Sequence, residues 1–204
     1  MKSRHLRILL IVMVGASILG HSGCARSPSS KFYLLSPLEN TAPGARRTGE
    51  DKCLSIGIGI ITIPEYLDRP QIVTRATPDE ISLAEHHRWG EPLRDNLKRV
   101  LAKNLSNLLC TKTIVLLPAR GKIPLDYRIE IEVLRLDGSL GGNVSLEAWW
   151  MVFSGNGNGV LLAQKSAFTE AAGGQDYKSL VSAQSRALGR LSGEIAEAIK
   201  TLPR

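Results

Sequence analysis

Residues 93 to 109 constrain the fold more tightly than any other stretch. Leu93, Leu97, Val100, Leu101, Leu105, Leu108 and Leu109 recur at helical spacing, while Arg94, Asp95, Lys98, Arg99 and Lys103 take the opposite face. A core-packing helix from about Gly90 to Leu109 follows, with Pro92 near its first turn, where a missing N–H leaves no helical bond unmade. Two apolar runs flank it. Leu54 to Ile63 is apolar on both parities, the pattern of a central strand covered on both faces, and Thr113 to Leu117 is a shorter run closed by Pro118. Strand, helix, strand implies a right-handed crossover and a parallel pair. Gly57 and Gly59 mimic the start of a dinucleotide fingerprint. The third glycine is missing, however, and Pro64 follows instead of a helix. The two glycines are expected to admit close packing of a helix.

Between the first run and the helix lies a loop restricted by Pro64 and Pro70, then a short strand (Ile72-Val73-Thr74-Arg75) and a polar link. Beyond the helix, Leu125, Tyr127, Ile129, Ile131 and Val133 alternate with Asp126, Arg128, Glu130 and Glu132. The parity flips at Leu134 and Leu136, which predicts a bulge. Asp137-Gly138 and Gly141-Gly142 read as the turn, and Val144 to Phe153 as the next strand. Gly155 to Gly159 reads as a second turn and Val160 to Glu170 as a third strand. These three strands form an antiparallel meander. Asp176 caps a last helix, Tyr177 to Leu202. Its apolar stripe runs through Leu180, Val181, Leu188, Leu191, Ile195 and Ile199, and Gln184 interrupts it.

The N-terminus stands outside this pattern. Lys2, Arg4 and Arg7 precede an apolar stretch, Ile8 to Leu19, too short to span a bilayer comfortably, and Ser22-Gly23 precede Cys24. Residues 1–23 read as a secretory signal peptide. A cysteine in this position makes it look like a lipoprotein signal, with Cys24 as the lipidated residue. The usual leucine three residues earlier is replaced by His21. Residues 24–31 are a small, polar tether, Phe32 to Leu35 a compact strand, and Glu39 to Lys52 a Gly- and Pro-bearing loop.

The leader carries three of the 26 basic residues and no acid, so removing it lowers the net charge from +7 to +4. No Lys/Arg run interleaved with aromatics is present, so nucleic acid is not an expected partner. The modest excess suits anionic lipid headgroups, or simply solubility. Apart from Cys24 the chain has Cys53 and Cys110. In an exported protein one disulfide between them is expected, with two buried thiols as the alternative.

Several motifs recur together in one known family. They are Phe32-Tyr33-Leu34-Leu35; Pro64, Tyr66, Leu67 and Arg69-Pro70-Gln71; Trp89 with Glu91-Pro92-Leu93; Asn96-Leu97, Val100-Leu101 and Asn104-Leu105. Asp176-Tyr177, Leu180-Val181, Ala183, Ser185 to Leu188 and Leu191-Ser192 complete the set. Through them the chain resembles the ABC-type transport auxiliary lipoproteins, the PqiC-type family of Gram-negative envelopes. The resemblance implies one domain over 32–203, an α/β three-layer sandwich with a mixed β-sheet that includes the meander, and two long amphipathic helices. The fold is akin to the N-terminal domain of the Tol-system β-propeller protein. It further implies a non-catalytic lipoprotein without a cofactor, coupling an inner-membrane lipid transporter to the outer membrane. The implied partners are a periplasmic protein with an MCE (mammalian cell entry) domain and an inner-membrane permease, and self-association is compatible with it. Ala25 favours the outer membrane, because retention at the inner membrane usually calls for Asp there.

The expected partner-binding residues are Glu65, Tyr66, Asp68, Arg69 and Gln71, on a loop whose two prolines limit the entropy lost on docking. Alternatively, Tyr66 and Arg69 lock the loop onto the core. Glu65, Asp68 and Arg69 could be drawn as an acid–base set, but on a short Pro-bounded loop local salt bridges are the more usual outcome. His86 and His87 beside Glu85 read as surface histidines, since neighbours in sequence converge poorly on one metal ion. The sequence has no P-loop, Gly-x-Ser-x-Gly elbow or zinc-spaced cysteine set, so ATP hydrolysis is not expected of this chain. Two other readings stay open: a lipid-anchored hydrolase or small-ligand binder using a pocket near the Glu65–Arg69 loop, and a pilotin-like assembly factor.

Overall fold

The computed structural model of the chain describes residues 29–39, 53–121, 123–157 and 159–203. The leader, Cys24, the tether before Ser29 and the loop beyond Glu39 lie outside the described residues. Along the described chain run β1 (Lys31–Tyr33), β2 (Leu54–Thr62), β3 (Gln71–Thr77), β4 (Glu80–Trp89), α1 (Leu93–Leu108), β5 (Thr111–Leu116), β6 (Tyr127–Gly138), β7 (Asn143–Ser154), β8 (Val160–Ala171) and α2 (Tyr177–Thr201).

Five strands form a sheet in the order β5-β2-β6-β7-β8, and three form a second in the order β1-β4-β3. In the larger sheet β2 runs parallel to β5, the pair joined through α1, and also parallel to β6. The meander β6-β7-β8 is antiparallel throughout. Ile56 and Ile58 of β2, Ile129 of β6 and Trp150 of β7 are fully buried. Trp150 satisfies its indole N–H on the Ser166 hydroxyl at 2.8 Å, which a buried tryptophan requires. Both helices cover this sheet, α1 over β2 and β5 and α2 over β6, β7 and β8, and they touch each other. The result is the α/β sandwich with mixed β-strand pairing and two long amphipathic helices that the sequence implies. The strands divide into two sheets rather than one.

Local chemistry accounts for the ends and joints. The Asp176 carboxylate accepts the Ser179 N–H at 2.7 Å and starts α2. Gln184, the break in the α2 stripe, is buried and donates to the Leu136 carbonyl at 3.3 Å. The parity change in β6 is a register shift between Val133 and Arg135 against β7. Cys53 and Cys110 are bonded, with Cα atoms 4.8 Å apart, where the parallel strands β2 and β5 begin side by side. Residues 34–39 run across both helices: Leu35 N–H donates to Asn96 Oδ1 (2.7 Å), Leu38 N–H to Asn104 Oδ1 (2.8 Å) and Ser36 N–H to Ser185 Oγ (3.0 Å).

Four expectations need correction. Residues 80–89, read as a polar link, are β4, the middle strand of the smaller sheet. Only Ala84 and Trp89 of β4 are buried, so side-chain pattern could not reveal it. Backbone pairing with β1 and β3 makes it. Gly57 and Gly59 do not admit a helix. A Cβ at Gly57 would stand 2.6 Å from Leu125 Cδ1, and one at Gly59 2.9 Å from Glu130 Cγ. The close neighbours are side chains on the sheet face away from the helices. His86 and His87, read as surface histidines, are half-buried on β4 and not freely exposed. The His87 ring stacks on Tyr177 with centroids 4.0 Å apart, and its Nδ1 meets the Tyr33 hydroxyl at 2.7 Å. Finally, Asp137-Gly138 is the end of β6 and not a turn.

Candidate functional site: the Pro64–Gln71 loop and the cluster beneath it

Two prolines and three short backbone bonds shape the loop between β2 and β3. Leu67 N–H reaches the Pro64 carbonyl at 2.9 Å, Asp68 N–H the Glu65 carbonyl at 3.2 Å, and Arg69 N–H the Leu67 carbonyl at 2.9 Å. Leu67 is buried and plugs the loop into the core. The Pro70 carbonyl accepts Trp89 N–H at 2.7 Å, which ties the loop exit to the end of β4.

The five residues singled out in the sequence share this loop but face different ways. Glu65 and Asp68 are exposed. Asp68 pairs with Arg94 of α1 at 2.5 Å. Gln71 opens β3 opposite Arg88. Arg69 is half-buried, and its Nε is sealed from solvent with no hydrogen-bond partner among the described residues. Tyr66 turns inward and donates its hydroxyl to Asp137 Oδ2 at 2.7 Å.

Asp137 is the centre the sequence did not disclose. Its side chain is 0 % exposed. Arg75 grips both carboxylate oxygens, Nε to Oδ1 and Nη2 to Oδ2, each at 3.0 Å, and Arg135 Nε reaches Oδ1 at 2.9 Å. Arg75 also donates Nη1 to the Pro78 carbonyl at 2.7 Å and lies over the Tyr66 ring, 5.5 Å from its centroid. Burial alone would raise the Asp137 pKa. Hydrogen bonds from Arg75, Tyr66 and Arg135 outweigh it and hold the carboxyl below its ordinary value. Burial, then the bond to Asp137, pushes the Tyr66 phenol up to about 12. The bond to Asp137 raises the Arg75 pKa further, so the guanidinium is permanently charged. Two cations around one buried anion leave the cluster with one net positive charge, and the bonds of Arg75, Arg135 and Tyr66 to Asp137 fix the loop to β3 and β6. Among the described residues no three His, Cys, Asp or Glu side chains gather to hold a metal ion.

The loop lies inside a longer match. Residues 33–196 match the family described as the ABC-type transport auxiliary lipoprotein component. The chain belongs to this family. The chain is similar to the intermembrane transport lipoproteins PqiC of Escherichia coli (strain K12) and Shigella flexneri. Each is 22% identical over 191 residues, covering 94% of this chain and 98% of the relative. Two solved structures share the fold. An uncharacterized protein has a TM-score of 0.68 at 18% identity, covering 84% of this chain and 99% of its own. A Xanthomonas campestris protein has a TM-score of 0.64 at 15% identity, covering 83% and 94%. No helix among the described residues is long and apolar enough to cross a membrane.

Proposed function

We propose that this auxiliary lipoprotein is non-catalytic and is held by a lipid on Cys24 at the periplasmic face of the outer membrane. There it serves an MCE-type lipid transport system. The observation that carries the reading is the family match over residues 33–196, preceded by a leader-like segment, residues 1–23, that stops just before Cys24. The relatives' designation as intermembrane transport lipoproteins supports a post between two membranes. A diacylglyceryl group plus an amide-linked chain anchors stably, where one acyl chain would not.

In this reading the partners are the periplasmic MCE-domain protein and the inner-membrane permease, and the Glu65–Gln71 loop is the docking element. Tyr66 sets the loop on Asp137, so little order remains to be gained on docking. The exposed Glu65 and Asp68 make the contact surface, with the half-buried Arg69 and Gln71 at its edge; Arg69 is of the residue type enriched among those that dominate interfaces.

The test uses the full chain purified from its own membranes. Glu65→Ala with Arg69→Ala is expected to lose the co-purifying MCE-domain protein at unchanged melting temperature. Full retention of the partner by this double variant would reject the loop. Cys24→Ala is expected to leave a precursor that no longer partitions with the outer membrane, and a free Cys24 thiol in the intact mass of the native protein would reject the anchor. Hydrolysis of a lipid ester by the purified protein would replace the transport reading with an enzymatic one.

A further inference from the structure

We propose that an open groove between the β3–β4 turn and the β6–β7 turn binds a phosphate group, carried either by a phospholipid headgroup or by free phosphate. The groove encloses ≈ 550 Å³. Arg75 and Arg135 supply its charge, and Thr77, Ser139, Asn143 and Ser145 add hydroxyl and amide groups. No carboxylate is among the side chains that line it.

The basic wall is built, not incidental. Asp137, fully buried, holds the Nε of both arginines at 2.9–3.0 Å and so aims their outer nitrogens. Arg75 is braced a second time by the Pro78 carbonyl. Beyond its Nε bond, Arg135 has no hydrogen-bond or ion-pair partner among the described residues. Its cross-strand neighbour Glu147 pairs instead with Lys165, at 3.3 Å. Arg135 therefore offers both of its terminal nitrogens to the groove, while Arg75, whose three nitrogens are each already bonded once to Asp137 or Pro78, adds its charge and its remaining N–H groups.

The ligand class follows from charge and donor number. Two guanidinium groups against one carboxylate leave a single positive charge, which matches the single negative charge of a phosphodiester. A phosphate presents several acceptor oxygens in the geometry an arginine fork bridges, and the surrounding hydroxyls can share them. A carboxylate is planar and ends in two oxygens, whereas a phosphate group spreads its anionic and ester oxygens tetrahedrally and so can reach the arginines and the hydroxyl wall at once. Because the arginines are already held, binding orders little. The groove shares Arg75, Arg135 and Asp137 with the cluster beneath the candidate docking loop, but none of Glu65, Asp68, Arg69 and Gln71 lines it, so phosphate binding does not depend on the loop's docking role.

The experiment is isothermal titration of the full chain in an uncharged detergent. The probes are inorganic phosphate, dihexanoyl-phosphatidylglycerol below its micelle concentration, and dihexanoylglycerol, which lacks the phosphate. The expected result is binding of at least one phosphate-bearing probe, weakened about ten-fold or more by Arg135→Gln at unchanged melting temperature. Binding of inorganic phosphate as tightly as the lipid identifies free phosphate. Binding of the lipid alone identifies the headgroup. No binding of either phosphate probe, equal binding of dihexanoylglycerol, or undiminished affinity in Arg135→Gln overturns the proposal. If Arg135→Gln lowers the melting temperature, Arg135→Lys is read in its place. It keeps the charge but lacks the fork, and wild-type affinity in it overturns the proposal equally.

Discussion

Asp137 and Tyr66 show how much a single contact decides at the scale of one residue. The folded chain favours the ionised carboxylate of Asp137, whose pKa lies below its ordinary value. Its contribution to stability is therefore in place above the unfolded carboxyl value of about 4 and fades as pH falls below it. Tyr66 runs the other way. Its phenol is pushed up to about 12, so the folded chain favours the neutral form. That contribution is whole below the unfolded phenol value of about 10 and is lost as pH rises towards the folded one. Tyr66→Phe is thus expected to lower stability by about 1.5–3 kcal/mol at neutral pH, through the lost hydrogen bond to a buried carboxylate. It should also flatten the decline of melting temperature between about pH 10 and 12. Thermal unfolding of both proteins across that range checks it, and parallel alkaline slopes would show that Tyr66 is not the titrating group. The sequence disclosed half of this arrangement. The Pro-bounded loop and the parity flip before Asp137 were legible. The role of Asp137 was not, because an Asp-Gly pair reads locally as a turn, and its partners Tyr66 and Arg75 lie 71 and 62 residues away.

At the scale of elements, what could be read depended on whether side chains or backbone make the element. The leucine stripe of α1 was plain, because its buried positions are mostly apolar and helically spaced. Asn96 and Asn104 sit on the same buried face and hold residues 34–39 in place, a role visible only once that segment is in view. Asn104 also donates to the Ser192 hydroxyl on α2 at 3.0 Å, so one amide joins three parts of the chain. Asn104→Leu would leave the Leu38 N–H and the Ser192 hydroxyl without this partner. We expect a loss of about 1–3 kcal/mol in urea unfolding. Asn107→Ala, which removes only a 3.4 Å bond to the Leu38 carbonyl at a half-buried position, should cost clearly less. Equal effects would mean that Asn104 acts through helix propensity alone. β4 is the opposite case. Its backbone is paired on both sides while half of its side chains face solvent and only two are buried, so it lacks the alternation that marks a strand. The usable signal was Pro78-Asp79, a two-residue connection between β3 and β4.

For the whole molecule, local pattern foretold the parallel crossover and the meander but not the division into two sheets. Periodicity reports which face of a strand is buried and says nothing about which distant edge it finds. β1 pairs with β4 some 56 positions away, at Lys31 and His87. The disulfide acts at this same scale. It joins Cys53 to Cys110 across a sequence separation of 57 and encloses β2, the candidate docking loop, β3, β4 and α1. A cross-link over such a loop restricts the unfolded chain by about 4 kcal/mol in the chain-entropy model. Domains of this size are stable by only about 5–15 kcal/mol. The double replacement Cys53→Ser with Cys110→Ser should therefore leave a folded but markedly weaker protein, unfolding at lower urea. Its m-value should be larger, because an uncrosslinked chain exposes more surface on unfolding. A stability loss below about 1 kcal/mol would mean that the enclosed segment is already restricted in the unfolded state, so that closing the loop removes little further entropy.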